Sequence, residues 1–143
     1  MRLIHFTAMN DFNYDSNRPY QQNHHIKPRG LWLSDEDDYG WSEWCRRKEF
    51  YVNRLAMENR FELIPDHNVL IINSVLEIEK FEHKYGPLII DWNKVSKDFG
   101  GVIITPYLGV YRSSTWYNGW DCASGCIWDL KNIKRIISDE KED

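Results

Sequence analysis

The sequence predicts an α+β fold. Three observations carry that prediction. Short apolar stretches rich in β-branched residues outnumber helical ones. Helical spacing with start and stop signals is confined to three stretches in the middle of the chain. The two kinds follow one another in mixed rather than strictly alternating order, which argues against a parallel α/β design. A length of 143 residues fits one domain, 1–143, large enough to bury a real core.

The first strand is expected at Arg2–Thr7, a partly apolar run without a turn residue. Met9–His25 is rich in Asn, Asp, Gln and Tyr and reads as a long irregular loop. Its His24-His25 pair is a polar loop rather than a metal site. Ile26–Ser34 turns into a second short strand, and Asp35–Gly40 is an acidic loop. Trp41, Trp44, Cys45 and Lys48 keep helical spacing, which predicts a helix over Trp41–Arg54 with two indoles inward. Its other residues include Arg46, Arg47, Lys48 and Arg54, either a solvated face or a local phosphate-binding patch.

Phe61–Leu63 and Val69–Ile72 read as strands around the turn Pro65–Asn68. Ser74-Val75-Leu76-Glu77 is a capping box opening a helix that runs to Tyr85, with Leu76, Phe81 and Tyr85 inward and Gly86-Pro87 as the stop. Asp91 is the expected N-cap of a second short helix over Trp92–Phe99, burying Trp92, Val95 and Phe99 and closed by Gly100-Gly101 as a left-handed cap. Val102–Ile104, Cys126–Asp129 and Ile133–Ile137 are strands, Pro106–Trp116 is a ring-bearing connection, and Ser138–Asp143 is a frayed charged tail.

Trp116–Trp128 concentrates chemistry. It holds three of the seven tryptophans, Cys122, Cys126 and one acid, Asp121, followed by the small residues Ala123, Ser124 and Gly125. It reads either as a buried strand with a tight bend or as a ring-lined wall against which a flat ligand can lie close to the backbone. A carboxylate between Trp120 and Cys122 needs a partner or a purpose. Cys45, Cys122 and Cys126 form no framework spacing and read as reduced thiols, with no zinc site.

A formal net charge of −4 and a pI near 5.7 argue against a general nucleic-acid footprint, while a local basic patch stays open. No apolar run approaches the roughly 18 residues of a membrane span and no signal-peptide pattern is present. A soluble cytoplasmic protein without a membrane partner is expected.

Four stretches in order resemble the small ADP-ribosyltransferases of the diphtheria-toxin and poly(ADP-ribose) polymerase type. Ile4-His5-Phe6-Thr7 is similar to that group's opening strand, a histidine followed two places on by a hydroxyl. Gly30-Leu31-Trp32-Leu33-Ser34 is similar to its Gly-aliphatic-aromatic-x-small motif, with Trp32 at the usual tyrosine. Phe99-Gly100-Gly101-Val102-Ile103 resembles the turn and strand before the last motif. Ser124-Gly125-Cys126-Ile127-Trp128-Asp129, followed by Asn132-Ile133-Lys134, resembles that last motif and the closing strand.

The resemblance implies a split β-sheet core with about three short helices, and transfer of ADP-ribose from NAD, as substrate, to a protein or nucleic-acid target. Stand-alone relatives of this kind are often toxins, phage effectors or anti-phage factors, which brings in an inhibitor or antitoxin as a partner. It implies a role for His5, supported by Thr7, on the ribose hydroxyl of the adenosine side, for the backbone of Gly30 or its neighbour Leu31 on the nicotinamide amide, and for Trp32 as a ring stacking on the nicotinamide. Tyr111 and Trp120 would supply the opposite wall, Arg112 would pair with Asp121 or hold the pyrophosphate or the target, and Ser34 and Ser124 complete the shell. Where the group places its catalytic glutamate this chain has Ser124; Asp121, three residues earlier, is the acid available to act with His5, and Glu36 and Glu43 are the next candidates. The alternative is a catalytically inactive protein of the same fold that sequesters NAD-derived nucleotides or blocks a partner.

Overall fold

The computed structural model describes residues 1–8, 12–23 and 26–137. Among them, seven strands form one hydrogen-bonded sheet: β1 Leu3–Thr7, β2 Leu31–Asp35, β3 Met57–Leu63, β4 Val69–Ile72, β5 Gly101–Ile104, β6 Ser124–Ile127 and β7 Ile133–Ile136. Three helices accompany it, α1 Trp41–Lys48, α2 Val75–Tyr85 and α3 Trp92–Asp98. The class is α+β. The strand order is β4-β5-β6-β2-β1-β3-β7, with β4 and β5 parallel and every other pair antiparallel.

The centre of the sheet forks. β1 and β2 pair only through Leu3↔Asp35 and Ile4↔Ser34. Beyond that point β1 stays with β3, out to Thr7↔Met57, while β2 stays with β6, back to Leu31↔Ile127. The buried end of β2 pins the closed side of the fork. The Asp35 carboxylate accepts from the Arg2 amide at 3.0 Å and from the Thr105 hydroxyl at 2.6 Å, joining β1, β2 and the loop after β5.

Each face of the sheet carries its own core. On one, Val102, Ile104 and Cys126 meet Ile78, Phe81 and Tyr85 of α2, Trp92 and Val95 of α3, and the rings Trp116, Tyr117 and Trp120. On the other, Leu3, Leu31, Leu33, Phe61, Ile103 and Ile127 pack against Phe12, Tyr14 and Tyr20 of the long N-terminal loop. Gln22 closes that loop by bonding the Arg29 carbonyl at 2.7 Å and the Arg29 amide at 2.9 Å.

The caps of the two middle helices are those the sequence names. The Ser74 hydroxyl accepts from the Glu77 amide at 3.2 Å, and the Asp91 carboxylate accepts from the Lys94 amide at 3.1 Å. Several expectations are corrected. The expected helix over Trp41–Arg54 ends at Lys48, because Glu49 (φ 53°) and Tyr51 (φ 50°) are left-handed, and a 3-10 turn follows over Val52–Leu55. Its indoles are half-buried and stack on each other, centroids 4.9 Å apart, while Cys45 takes the inward position. Leu76 faces outward, 61% exposed, and Ile78 takes its place. Gly100-Gly101 is no left-handed cap, since no glycine among the described residues has positive φ. A side chain at Gly100 would instead run into the Asn132 amide. The expected strand at Cys126–Asp129 begins two residues earlier, at Ser124, and Phe61–Leu63 is the end of a strand that starts at Met57. Residues 9–11 of the expected N-terminal loop, His24-His25 and the expected tail Ser138–Asp143 lie outside the described residues.

Candidate functional site

A cavity of about 270 Å³ opens in the mouth of the fork. Ile4, His5 and Phe6 come from β1 and Trp32, Leu33 and Ser34 from β2. Trp41 of α1, the segment Gly119–Cys122, Ser124 and Lys27 close the remaining sides. His5, Trp32, Ser34, Trp120, Asp121 and Ser124, chosen from three separate stretches of sequence, therefore share one cavity.

His5 sits where the ladder between β1 and β2 has ended. Its Nδ1 lies 2.9 Å from the Trp32 carbonyl, a group that β1 no longer satisfies with backbone. A carbonyl only accepts, so Nδ1 carries the proton and Nε2 is the acceptor of the neutral ring. Burial pushes the His5 pKa below its ordinary value, against a smaller upward pull from that carbonyl bond. Phe12 packs on the ring with centroids 4.7 Å apart.

Asp121 is half-buried and, among the described residues, makes no hydrogen bond and no ion pair within 4 Å. Burial raises its pKa, and the charges of Lys27, Arg112 and Lys48 pull it back down. Beside it stands Trp120, whose Nε1 is the one buried side-chain nitrogen or oxygen without a partner among the described residues. An orphaned buried donor of this kind costs on the order of 1–3 kcal/mol and calls for an explanation. Trp120 meets Trp32 edge to face at 4.9 Å.

Lys27 is the residue that sequence reasoning missed. Its ammonium lies 5.1 Å from the centroid of Trp32. A side chain on Gly119 would meet the Lys27 stem at 3.1 Å, so that glycine leaves room for it. The pair Lys-Pro before Arg29-Gly30 carried no signal beyond a turn; only the fold brings it opposite Asp121.

Ser34 and Ser124 line the cavity with hydroxyls already engaged. Ser34 donates to Glu36 at 2.5 Å, and Ser124 donates to the Cys122 carbonyl at 3.1 Å. Glu36 also accepts from both the hydroxyl and the amide of Ser42, and Glu43 pairs with Arg47 at 2.7 Å, so both fallback acids already have partners. Burial lifts the Cys122 thiol to about 12, which keeps it a neutral wall.

Five further candidates stand outside the cavity wall. Tyr111 donates its hydroxyl to Glu82 at 2.5 Å, which ties the connection after β5 to α2. Arg112 is exposed and acts on Asp121 only through its charge. Thr7 accepts from the Asn59 amide at 3.3 Å. Leu31 belongs to the second core, and a side chain on Gly30 would lie 2.5 Å from the Ile127 carbonyl. Of the small residues after Asp121, Gly125 serves the sheet. A Cβ on Gly125 would sit 2.4 Å from Ile103, so β5 and β6 close only over a bare backbone. Among the described residues no group of three His, Cys, Asp or Glu side chains is placed to hold a metal, and no helix is long and apolar enough to cross a membrane.

No family model, curated protein or solved structure matches this chain.

Proposed function

We propose that the fork cavity binds the nicotinamide-ribose half of NAD and that the protein transfers ADP-ribose to a macromolecular target. One observation carries the reading. A neutral histidine, an indole face and an unpaired carboxylate converge on a cavity opened by a split between the two central strands. A forked sheet with this histidine and this aromatic on its two arms is what the resemblance to ADP-ribosyltransferases implies.

The cavity, about 270 Å³, falls just below the roughly 300–1,000 Å³ of ligand pockets, enough for a ring and its sugar rather than a whole dinucleotide. The adenosine half would run out along the surface. His5 Nε2 accepts a hydrogen bond from a ribose hydroxyl. Trp32 offers its face to the nicotinamide ring. Lys27 now stands over that indole, so a ring stacking on the same face displaces its ammonium, which is then free to meet a phosphate. Breaking the C–N glycosidic bond builds positive charge on the ribose and releases neutral nicotinamide. The Asp121 carboxylate stabilises that charge and takes the proton of the attacking group.

A second reading has its own support. Ser124 occupies the place where the resemblance puts a glutamate, and its hydroxyl is committed to the Cys122 carbonyl. On that reading the protein holds the nucleotide, or blocks a partner, without transfer. Incubation with NAD labelled in the adenosine half, plus cell lysate, separates the two. Labelled macromolecule and free nicotinamide are expected from the wild type and neither from Asp121→Asn. Nucleotide binding with no nicotinamide released would leave the second reading standing and contradict transfer.

A further inference from the structure

The corner between α1 and the 3-10 turn carries rings and cations that the cavity does not use. Phe50, Tyr51 and Val52 stand in the open, 41%, 50% and 46% exposed. Phe50 sits edge-on to Trp41 and to Trp44, at 6.4 and 5.4 Å, and Tyr51 lies 4.1 Å from Phe50. The left-handed residues Glu49 and Tyr51 hold this turn outward, a conformation that costs free energy for residues with a Cβ. These rings touch one another yet keep about half their surface in solvent, and a contiguous exposed apolar cluster marks an interaction site.

The same corner gathers positive charge in a chain whose net charge is −4. Arg46 and Lys48 are exposed and, among the described residues, make no ion pair within 4 Å. Arg54 lies over Tyr51 at 4.6 Å. Arg47 is shared between Glu43 and the Tyr39 ring. Basic residues in the last turn also favour a helix, but that accounts for neither the exposed rings beside them nor Arg54 beyond the helix end.

The patch runs into the cavity. Trp41 belongs to both, and the Lys48 charge reaches Asp121. From exposed rings, unpaired cations beside them and this continuity, we infer that the α1 corner binds a single-stranded nucleic acid, which is the target that receives ADP-ribose. The target assignment rests on the transfer reading above; the binding does not. Unstacked bases lie on Phe50 and Tyr51, and phosphates meet Arg46, Lys48 and Arg54. A duplex hides its base faces and gains only the phosphate contacts. An acidic peptide would use the cations and leave the rings unemployed.

The test is fluorescence anisotropy with labelled single strands of about 12 nucleotides, DNA and RNA, and the matching duplex. NAD is left out, so the outcome does not depend on what the cavity holds. At least one single strand is expected to bind about tenfold more tightly than the duplex, and to lose about tenfold or more in affinity between about 50 and 200 mM salt. Phe50→Ala and Tyr51→Ala each lower affinity about tenfold at unchanged melting temperature, whereas Phe50→Tyr, which keeps a ring, retains it. Arg46→Ala with Lys48→Ala flattens the salt dependence. No binding of either strand, equal binding of the duplex, wild-type affinity in both ring variants, or preference for an acidic peptide would each overturn the inference.

Discussion

At the scale of the residue, the site depends on groups left in costly states. Asp121 is the clearest. Burial raises its carboxyl above the 3.8 of a free aspartate, so the native state holds that proton more tightly than the unfolded chain does. The contribution to stability is complete below 3.8 and is lost as pH rises through the native value. At neutral pH the ionised carboxylate is a cost. Asp121→Asn is therefore expected to raise the melting temperature at pH near 7 by about 1–3 °C, a small gain because the group is partly solvated. The gain shrinks toward zero in acid. Scanning calorimetry across that range checks it, and a lowered melting temperature at neutral pH would make Asp121 a structural anchor instead. Read as sequence, the isolation of this acid among Trp120 and Cys122 was legible, as were His5 and Trp32. Lys27 was not, because nothing local marks a lysine that the fold folds back over an indole. Nor was the burden on Gly125, where local reading leaves a tight bend and a ligand wall both open and the sheet brings Ile103 against its backbone.

At the scale of the element, boundaries followed the residues that close backbone hydrogen bonds. Ser74 and Asp91 announced α2 and α3 because a side-chain acceptor before a helical run satisfies an amide that has no partner inside the helix. The end of α1 was hidden. Glu49 and Tyr51 carry no signal for left-handed backbone. The first half of β3 was hidden for another reason. Glu58, Arg60 and Glu62 alternate with Asn59 and Phe61, so a half-exposed strand was masked by its charged face. Two substitutions separate capping from packing. Ser74→Ala removes one cap and is expected to cost about 1 kcal/mol. Gly125→Ala forces a methyl into Ile103 and the Val102 carbonyl, and is expected to cost about 1–3 kcal/mol or more through displacement of β5 from β6. Chemical denaturation ranks them; a Gly125→Ala protein as stable as wild type would mean that the two strands separate without penalty.

At the scale of the molecule, the fork organises the rest. Two paired residues at Leu3–Ile4 hold β1 and β2 together, and Asp35 locks them to the loop after β5. Past that clamp the arms diverge, His5 caps the freed Trp32 carbonyl, and the cavity opens between them. Class and strand content were legible from the sequence, whereas the fork was not. Local patterns state that a strand exists, and the register that makes two neighbours part company is set by β3 and β6, which lie far away in sequence. Exposed rings and cations at the α1 corner extend the same surface outward. Transfer of ADP-ribose requires that this cavity recognise the nucleotide. Isothermal titration of NAD into the wild type and into His5→Ala tests this most directly. One site per chain is expected in the wild type and about tenfold or greater weakening in His5→Ala, from loss of a buried hydrogen bond to ribose. No binding of NAD by the wild type, or equal affinity in the two proteins, would contradict it.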